Sequence, residues 1–219
     1  MNTSIDLNKL IRQLYNRADN MSRKTLFIII LIAVIITTVI AIYTLILKPR
    51  YQGTIDPIKE LIEGRPKIIE IWSPVFEYGS RIPVEYTCDG EDKSIPLRIN
   101  NIPEDTKSLL IIMYDPDAPL GTFYHWILYN VPPDTLEIPE DIPKTPITDY
   151  GMQGRNDFGK IGYGGPCPPK GHGSHRYFFV VVALDIELDL PPGASLSDIV
   201  NAAKDHVLAY GEYMGVYNR

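Results

Sequence analysis

One segment, Ser108-Leu109-Leu110-Ile111-Ile112-Met113-Tyr114, indicates the fold, and it runs directly into Asp115-Pro116-Asp117-Ala118-Pro119. Short continuous apolar runs of this kind are typical of strands that are buried in a sheet. The prolines that follow fix the backbone and remove two amide donors, so the strand cannot continue. We therefore expect the Asp115 side chain to emerge where the core ends and a loop begins.

Further short apolar segments follow the same pattern and are separated by proline and glycine. The 219 residues include 19 prolines and 16 glycines, which interrupt such segments too often for long helices. We therefore predict a mainly β fold of the sandwich type. The other expected strands are residues 67–72, 95–99, 126–131 and 177–184.

One helix is expected near the end of the folded part. Ser195 followed three residues later by Asp198 resembles a capping box in which Asp replaces the usual Glu. An apolar stripe at helical spacing follows this cap, formed by Leu196, Ile199, Val200, Ala203 and Val207.

Residues 25–47 form a run of 23 residues without a charged side chain, with basic residues on both sides. As a helix this run is about 34 Å long, enough to cross a hydrocarbon core of about 30 Å. A cleavable signal peptide is the competing interpretation, but its apolar region is typically only about 7–15 residues and ends at a small-residue site. We expect a single retained transmembrane helix, with the chain located at the cell membrane.

This span divides the chain into four parts. Residues 1–24 form a short segment, either an amphipathic helix at the membrane interface or a partly ordered tail. Residues 48–67 are expected to be a linker, and residues 68–219 one folded domain. The slight excess of basic residues before the span indicates a cytoplasmic N-terminus and an extracytoplasmic domain.

The charge differs between the two ends of the chain. Residues 1–67 hold ten basic and five acidic side chains, for +5, which leaves 11 and 22, or −11, for residues 68–219. An acidic domain gains no electrostatic attraction to phosphate polymers, so nucleic-acid binding is disfavoured.

Polar clusters lie beside three of the expected strands: the Asp115 to Pro119 run, His125-Trp126, and His175-Arg176-Tyr177 after a glycine-rich segment. Together they could hold one small ligand that carries a phosphate or carboxylate and an amine. The alternative is structural, because Asp residues in proline-rich turns often cap amides and a lone strand histidine is more often a core residue.

The order and the residues of these motifs resemble those of the phosphatidylethanolamine-binding protein family, also called Raf kinase inhibitor-like proteins, and most closely its bacterial and archaeal branch. The resemblance spans residues 73–219. Besides the three clusters it rests on Ser73-Pro74-Val75-Phe76, Ile82-Pro83, Thr87-Cys88-Asp89-Gly90, Gly164-Gly165-Pro166-Cys167-Pro168-Pro169, Gly171-His172-Gly173 and Gly215-Val216-Tyr217-Asn218-Arg219.

The resemblance implies a two-sheet antiparallel β-sandwich with few peripheral helices and a small anion pocket, without metal or cofactor. It implies that Asp115 is an orienting carboxylate and that His125 and His175 donate to the anion. The other implied parts are a hydroxyl donor at Tyr177, amides near Gly165, an apolar wall of Pro168 and Pro169, and loop support from Asp117. Arg176 should point to the opposite face in an ion pair, and His172 could lie at the rim.

Cys88 and Cys167 are the two cysteines of the chain, and both belong to motifs that border the implied pocket. A disulfide is plausible if the domain faces an oxidising exterior. Two reduced, buried thiols are the alternative, and the sequence leaves both open.

These observations favour a membrane-anchored, non-catalytic domain that binds a small anion or a phosphorylated headgroup. A serine protease inhibitor or another protein-interaction module is the second hypothesis, and an accessory subunit of a larger membrane complex is the third. Two histidines and a carboxylate could also form a non-haem iron triad, and Cys167 could pair with a histidine. Neither has the expected motif, so we do not expect an enzyme.

Overall fold

The computed structural model describes residues 22–46 and 56–219. The chain divides after Thr54, and the parts on either side are described separately. The predicted amphipathic segment within residues 1–24 and the first part of the predicted linker, 48–55, lie almost entirely outside the described residues.

The N-terminal part contains helix α1, Arg23–Ile46. The hydroxyl of Ser22 accepts a hydrogen bond from the Thr25 amide at 3.2 Å at the start of this helix. Side chains are described for residues 22–28 and 30–38, and they are exposed. Among the described residues, no helix is found that is long and apolar enough to cross a membrane, so the span predicted at 25–47 is not confirmed.

The folded part contains two antiparallel sheets, two short α-helices and one 3-10 helix, Val84–Tyr86, which confirms the predicted mainly β fold. The strands are β1 Glu70–Trp72, β2 Leu97–Asn100, β3 Ser108–Asp115, β4 Phe123–Val131, β5 Glu137–Ile138, β6 Ile147–Thr148, β7 Gly151–Gln153, β8 His175–Leu184 and β9 Val207–Tyr217. The helices are α2 Pro57–Ile62 and α3 Leu196–Ala203. The larger sheet has the order β6-β7-β4-β3-β8-β9, and the smaller has the order β1-β2-β5.

Strand β3 lies at the centre of the fold, and all eight of its residues are buried. Successive side chains of a strand point to opposite faces. Leu109, Ile111 and Met113 pack with the smaller sheet. Leu110 and Ile112 pack with α2 and α3 on the other face. Because both faces are covered, the sequence of β3 shows a continuous apolar run instead of an alternating one.

The C-terminal region differs from the prediction at one residue of the stripe. Helix α3 begins as expected, with the Ser195 hydroxyl accepting from the Asp198 amide at 3.2 Å. It ends at Ala203, and Val207 instead begins strand β9, so its assignment to the helix is wrong. Residues of β9 alternate strictly between buried and half-buried, and the strand pairs with β8 along its whole length.

The folded part begins earlier than the predicted boundary at residue 68. Residues 56–67, assigned to the linker, include helix α2, which starts with Pro57 after the N-cap residue Asp56. Ile58 and Leu61 of this helix are buried against the larger sheet. Burying two such side chains contributes about 1.5–3 kcal/mol each, which explains why these residues belong to the domain.

Candidate functional site

The order of the strands brings the predicted polar residues together. Strand β3 lies between β4 and β8, and both neighbours are antiparallel to it. Asp115 ends β3, and His175 begins β8. These ends meet at one edge of the sheet, around a cavity of about 550 Å³, called the ligand cavity below. Six predicted residues line it: Asp115, His125, Pro168, Pro169, His175 and Tyr177.

Asp115 and His175 form a buried pair, with Asp115 Oδ2 2.7 Å from His175 Nδ1. The other oxygen, Oδ1, accepts from the Asp117 amide at 2.8 Å. Since a carboxylate oxygen accepts, His175 carries a proton on Nδ1. Its Nε2 lies 2.8 Å from Nδ1 of His172. Asp115 therefore orients His175. Both ring nitrogens of His175 are engaged, so the donor role toward an anion that the resemblance implied for His175 is not supported.

His125 is held by the loop that contains Gly164. Its Nδ1 lies 2.7 Å from the Gly164 carbonyl, and a carbonyl can only accept, so this nitrogen carries the proton. Burial lowers the pKa of His125 below its ordinary 6.5, although Asp115 and Asp157 oppose the shift. At neutral pH the free Nε2 is therefore an acceptor, which differs from the donor role that the resemblance implied.

Tyr177 supplies a buried hydroxyl that makes no well-formed hydrogen bond with a described residue, although the Asp115 carboxylate and the Cys167 backbone lie close to it. Its side chain is fully buried, and its hydroxyl has no hydrogen-bond partner within residues 22–46 and 56–219. Burial, and then the nearby Asp115 carboxylate, raise the pKa of this phenol, so it keeps its proton. The ring meets that of His125 edge-on at 5.2 Å. Tyr177 can therefore donate to a ligand in the cavity.

Asp117 supports the loop as predicted. Its carboxylate accepts from the Arg176 guanidinium through two bonds of 2.8 and 2.6 Å, and from the Arg176 amide at 2.9 Å. This guanidinium lowers the pKa of Asp117. Arg176 thus points away from the cavity and fixes the turn after β3, as expected from strand alternation.

Gly165 does not have the predicted role. Its amide donates to Asp92 Oδ1 at 2.6 Å, and the residue lines a second hollow of about 540 Å³ instead of the ligand cavity. A Cβ at this position would collide with the Tyr86 carbonyl. The glycine therefore allows close approach of two backbones, and its amide is not available to an anion.

Cys88 and Cys167 form a disulfide across a separation of 79 residues. Of the two alternatives that the sequence left open, the structure has the bonded one. Cys167 lines the ligand cavity beside Pro168 and Pro169, so the disulfide holds the apolar wall to the turn that contains Cys88.

Several residues of the ligand cavity are not predicted from the sequence. Phe123 lies two residues before His125 on the same face of β4, a spacing that could have revealed it. Asp157 and Phe158 come from a loop whose path the sequence does not show, and the rings of Phe123 and Phe158 are 4.7 Å apart. Residues 118–122, called the rim loop below, complete the wall. Among the described residues, no group of three His, Cys, Asp or Glu side chains is placed to hold a metal ion.

Comparisons with known proteins agree with this architecture. A family model described as phosphatidylethanolamine-binding protein matches residues 72–218. A UPF0098 protein of Aquifex aeolicus is 52% identical over 161 residues, which cover 73% of this chain and 94% of that protein. A phosphatidylethanolamine-binding protein homologue of Chlamydia trachomatis, CT736, gives a TM-score of 0.64 at 35% identity, covering 70% of this chain and 99% of that one. The structure of YbcL of Escherichia coli gives a TM-score of 0.62 at 32% identity, covering 69% of this chain and 98% of that one.

Proposed function

The chain belongs to the phosphatidylethanolamine-binding protein family, and we propose that its folded domain binds a small phosphorylated ligand bearing an amine without transforming it. The observation that carries the proposal is the Tyr177 hydroxyl, which is buried beside the cavity and lacks a partner among the described residues. An unsatisfied buried donor costs about 1–3 kcal/mol, and a ligand oxygen that accepts from it removes this cost.

The neighbouring groups complement a ligand with both acceptors and donors. Tyr177 donates to a phosphate oxygen, whereas His125 Nε2 accepts from a phosphate hydroxyl or an ammonium group. Asp157 adds a carboxylate to the cavity lining. The volume of about 550 Å³ lies within the range of about 300–1,000 Å³ that is usual for small-molecule sites, and exceeds the need of a phosphate ion. The cavity also has an apolar wall that can contact the carbon atoms of the ligand, formed by Phe123, Phe158, Pro168 and Pro169.

A binding role without chemistry is supported by the state of the reactive groups. Both oxygens of Asp115 and both ring nitrogens of His175 already have partners. Cys167 is bonded to Cys88 and does not offer a thiolate. The groups that remain available to a ligand are Nε2 of His125, the neutral phenol of Tyr177 and the Asp157 carboxylate, and this set suits recognition better than proton or acyl transfer.

The ligand could be free in solution or be the headgroup of a lipid. Leu120 of the rim loop is fully exposed, and Phe158 is 43% exposed at the cavity. Single exposed apolar side chains are common on protein surfaces, so they leave both sources open. The two sources share the phosphate and the amine, and the experiment below distinguishes them.

Calorimetric titration of the full chain tests the proposal. O-phosphoethanolamine should bind saturably, and inorganic phosphate and ethanolamine should each bind more weakly, because each offers only half of the contacts. Phosphatidylcholine vesicles with and without phosphatidylethanolamine form the second arm, and binding only to the former indicates a lipid headgroup. The absence of heat with every probe from pH 5 to pH 8 would contradict the proposal.

We also propose that residues 25–47 anchor the chain in the cell membrane, with the folded domain outside. The support is the run of 23 uncharged residues with basic residues on both sides. The described side chains after Lys24 within helix α1 are uncharged and exposed. Protease inhibition and a role as an accessory subunit stay predictions of the sequence.

A further inference from the structure

Residues 56–62, called the strap below, lie outside the part of the chain that the family model matches, yet they bond to the wall of the ligand cavity. Asp56 Oδ2 accepts from the Thr122 hydroxyl at 2.7 Å. Asp56 Oδ1 accepts from the Tyr124 hydroxyl at 2.9 Å. Thr122 belongs to the rim loop and lines the cavity. One carboxylate therefore holds the rim loop and strand β4 together.

The strap is itself fixed to the domain. Asp56 caps helix α2 by accepting from the Ile58 amide at 3.0 Å. Ile58 and Leu61 are buried, so the helix cannot slide along the sheet without exposing them. Just beyond the strap, Arg65 donates to the Val207 carbonyl at 3.1 Å. The position of the Asp56 carboxylate is thus set by packing and not only by the bonds it makes to the cavity wall.

The same network reaches a second part of the cavity. The Tyr124 amide donates to Asp157 Oδ2 at 2.8 Å, and the Asp157 amide donates to the Tyr124 carbonyl at 2.9 Å. Asp157 also lines the cavity. Tyr124 is 6% exposed, so loss of Asp56 would leave its hydroxyl buried without its partner.

From these contacts we propose that Asp56 is a positioning residue of the ligand cavity, acting through Thr122 on the rim loop and through Tyr124 on Asp157. This inference rests on the proposed function, because it assigns a role at the same site. The segment that joins the folded domain to the rest of the chain is then part of the binding machinery, and a domain cut at residue 68 would lack it.

Three variants of the full chain test the proposal. Asp56→Ala removes every bond of the carboxylate, and Thr122→Val removes only the bond to the rim loop. Asp56→Asn keeps the geometry, because its carbonyl can accept from Ile58 and Tyr124 while its amide donates to Thr122. We expect Asp56→Ala to weaken O-phosphoethanolamine binding about fivefold or more, Thr122→Val to weaken it less, and Asp56→Asn to restore most of it. Amide hydrogen exchange of residues 118–124 should accelerate in the Asp56→Ala and Thr122→Val proteins without ligand.

Ser195→Ala is the matched control, since it removes the N-cap of α3 as Asp56→Ala removes that of α2. It should leave both the affinity and the exchange of residues 118–124 at wild-type values. Asp56→Ala behaving like this control would overturn the proposal, because the role of Asp56 would then be that of a helix cap alone. If the wild type does not bind the probe, the proposed function fails, and the exchange of residues 118–124 decides on the strap by itself.

Discussion

Hydrogen-bond partners determine what each residue of the cavity can offer to a ligand. His125 and His175 both carry a proton on Nδ1, one because it faces the Gly164 carbonyl and the other because it faces the Asp115 carboxylate. The two rings nevertheless differ, since Nε2 of His175 is bonded to His172, while Nε2 of His125 has no hydrogen bond to any residue that the structure describes. The sequence predicts that both residues face the cavity, but partners 39 and 60 residues away decide which atoms are free.

Distant hydrogen-bond partners also explain why the predicted role of Gly165 as an amide donor to the anion is wrong. Its motif is visible in the sequence, and a glycine there does mark a close backbone approach. The approach is to the Tyr86 carbonyl and the amide is taken by Asp92, which lies 73 residues away. Residue identity predicted a tight contact, but the partner could not be found without the path of the intervening chain.

The lowered pKa of His125 predicts how stability changes with pH. The folded state binds a proton on this ring less readily than the unfolded chain, so stability is present above about pH 6.5 and is lost as pH falls toward the lower folded value. The groups around the ring are Asp115, Asp157, Tyr177, Phe123 and Phe158. Urea unfolding between pH 5 and pH 7.5 should show a steeper loss for the wild type than for His125→Gln. Identical slopes would contradict this assignment.

Some secondary-structure elements can be predicted from the sequence, and others cannot. Strand β3 is recognisable because both faces are buried and its run is continuous. Strand β9 is not predicted from the sequence, because its first residue also fits the apolar stripe of α3. Its pairing with β8 shows that Val207 belongs to a strand, with a side-chain period of two, and not to the helix, with a period of 3.6. Helix α2 has six residues, too few to show periodicity, and is stable through its contacts with the sheet.

The disulfide between Cys88 and Cys167 links two distant segments and is expected to stabilise the folded part. It closes a loop with a sequence separation of 79, so its loss should lower the free energy of unfolding by about 2–4 kcal/mol. Denaturant titration of the double variant Cys88→Ala and Cys167→Ala measures this. Reduction of the wild type with a phosphine should reproduce the shift, because the chain has two cysteines in all. An unchanged midpoint in both cases would show that the bond contributes nothing.

At the scale of the whole molecule, the sequence motifs predicted the family and the mainly β architecture. The domain boundary was drawn too late because the segment before residue 68 carries no family motif, although burial of Ile58 and Leu61 includes it in the folded part. The order of strands explains why three separate clusters meet, and this convergence is a property of the sheet that no local segment shows.

Membrane anchoring is the prediction that concerns the whole chain. After expression of the full chain, alkaline carbonate extraction should leave it in the membrane fraction. The double variant Ile32→Lys and Ile36→Lys should be released or fail to insert, because each charge costs about 2.5–3.5 kcal/mol at the centre of a span. Recovery of the wild type in the soluble fraction would contradict an anchor at residues 25–47.

The central claim is that the unpaired Tyr177 hydroxyl recognises a phosphate oxygen. The dissociation constant of O-phosphoethanolamine for Tyr177→Phe, measured by calorimetry beside the wild type, tests it most directly. We expect Tyr177→Phe to bind about tenfold more weakly or worse, with an unfolding midpoint that is unchanged or higher because a buried unsatisfied group is gone. Tyr78→Phe, which removes an exposed hydroxyl, should change neither quantity. Equal affinity of Tyr177→Phe and the wild type would show that the Tyr177 hydroxyl does not recognise the phosphate.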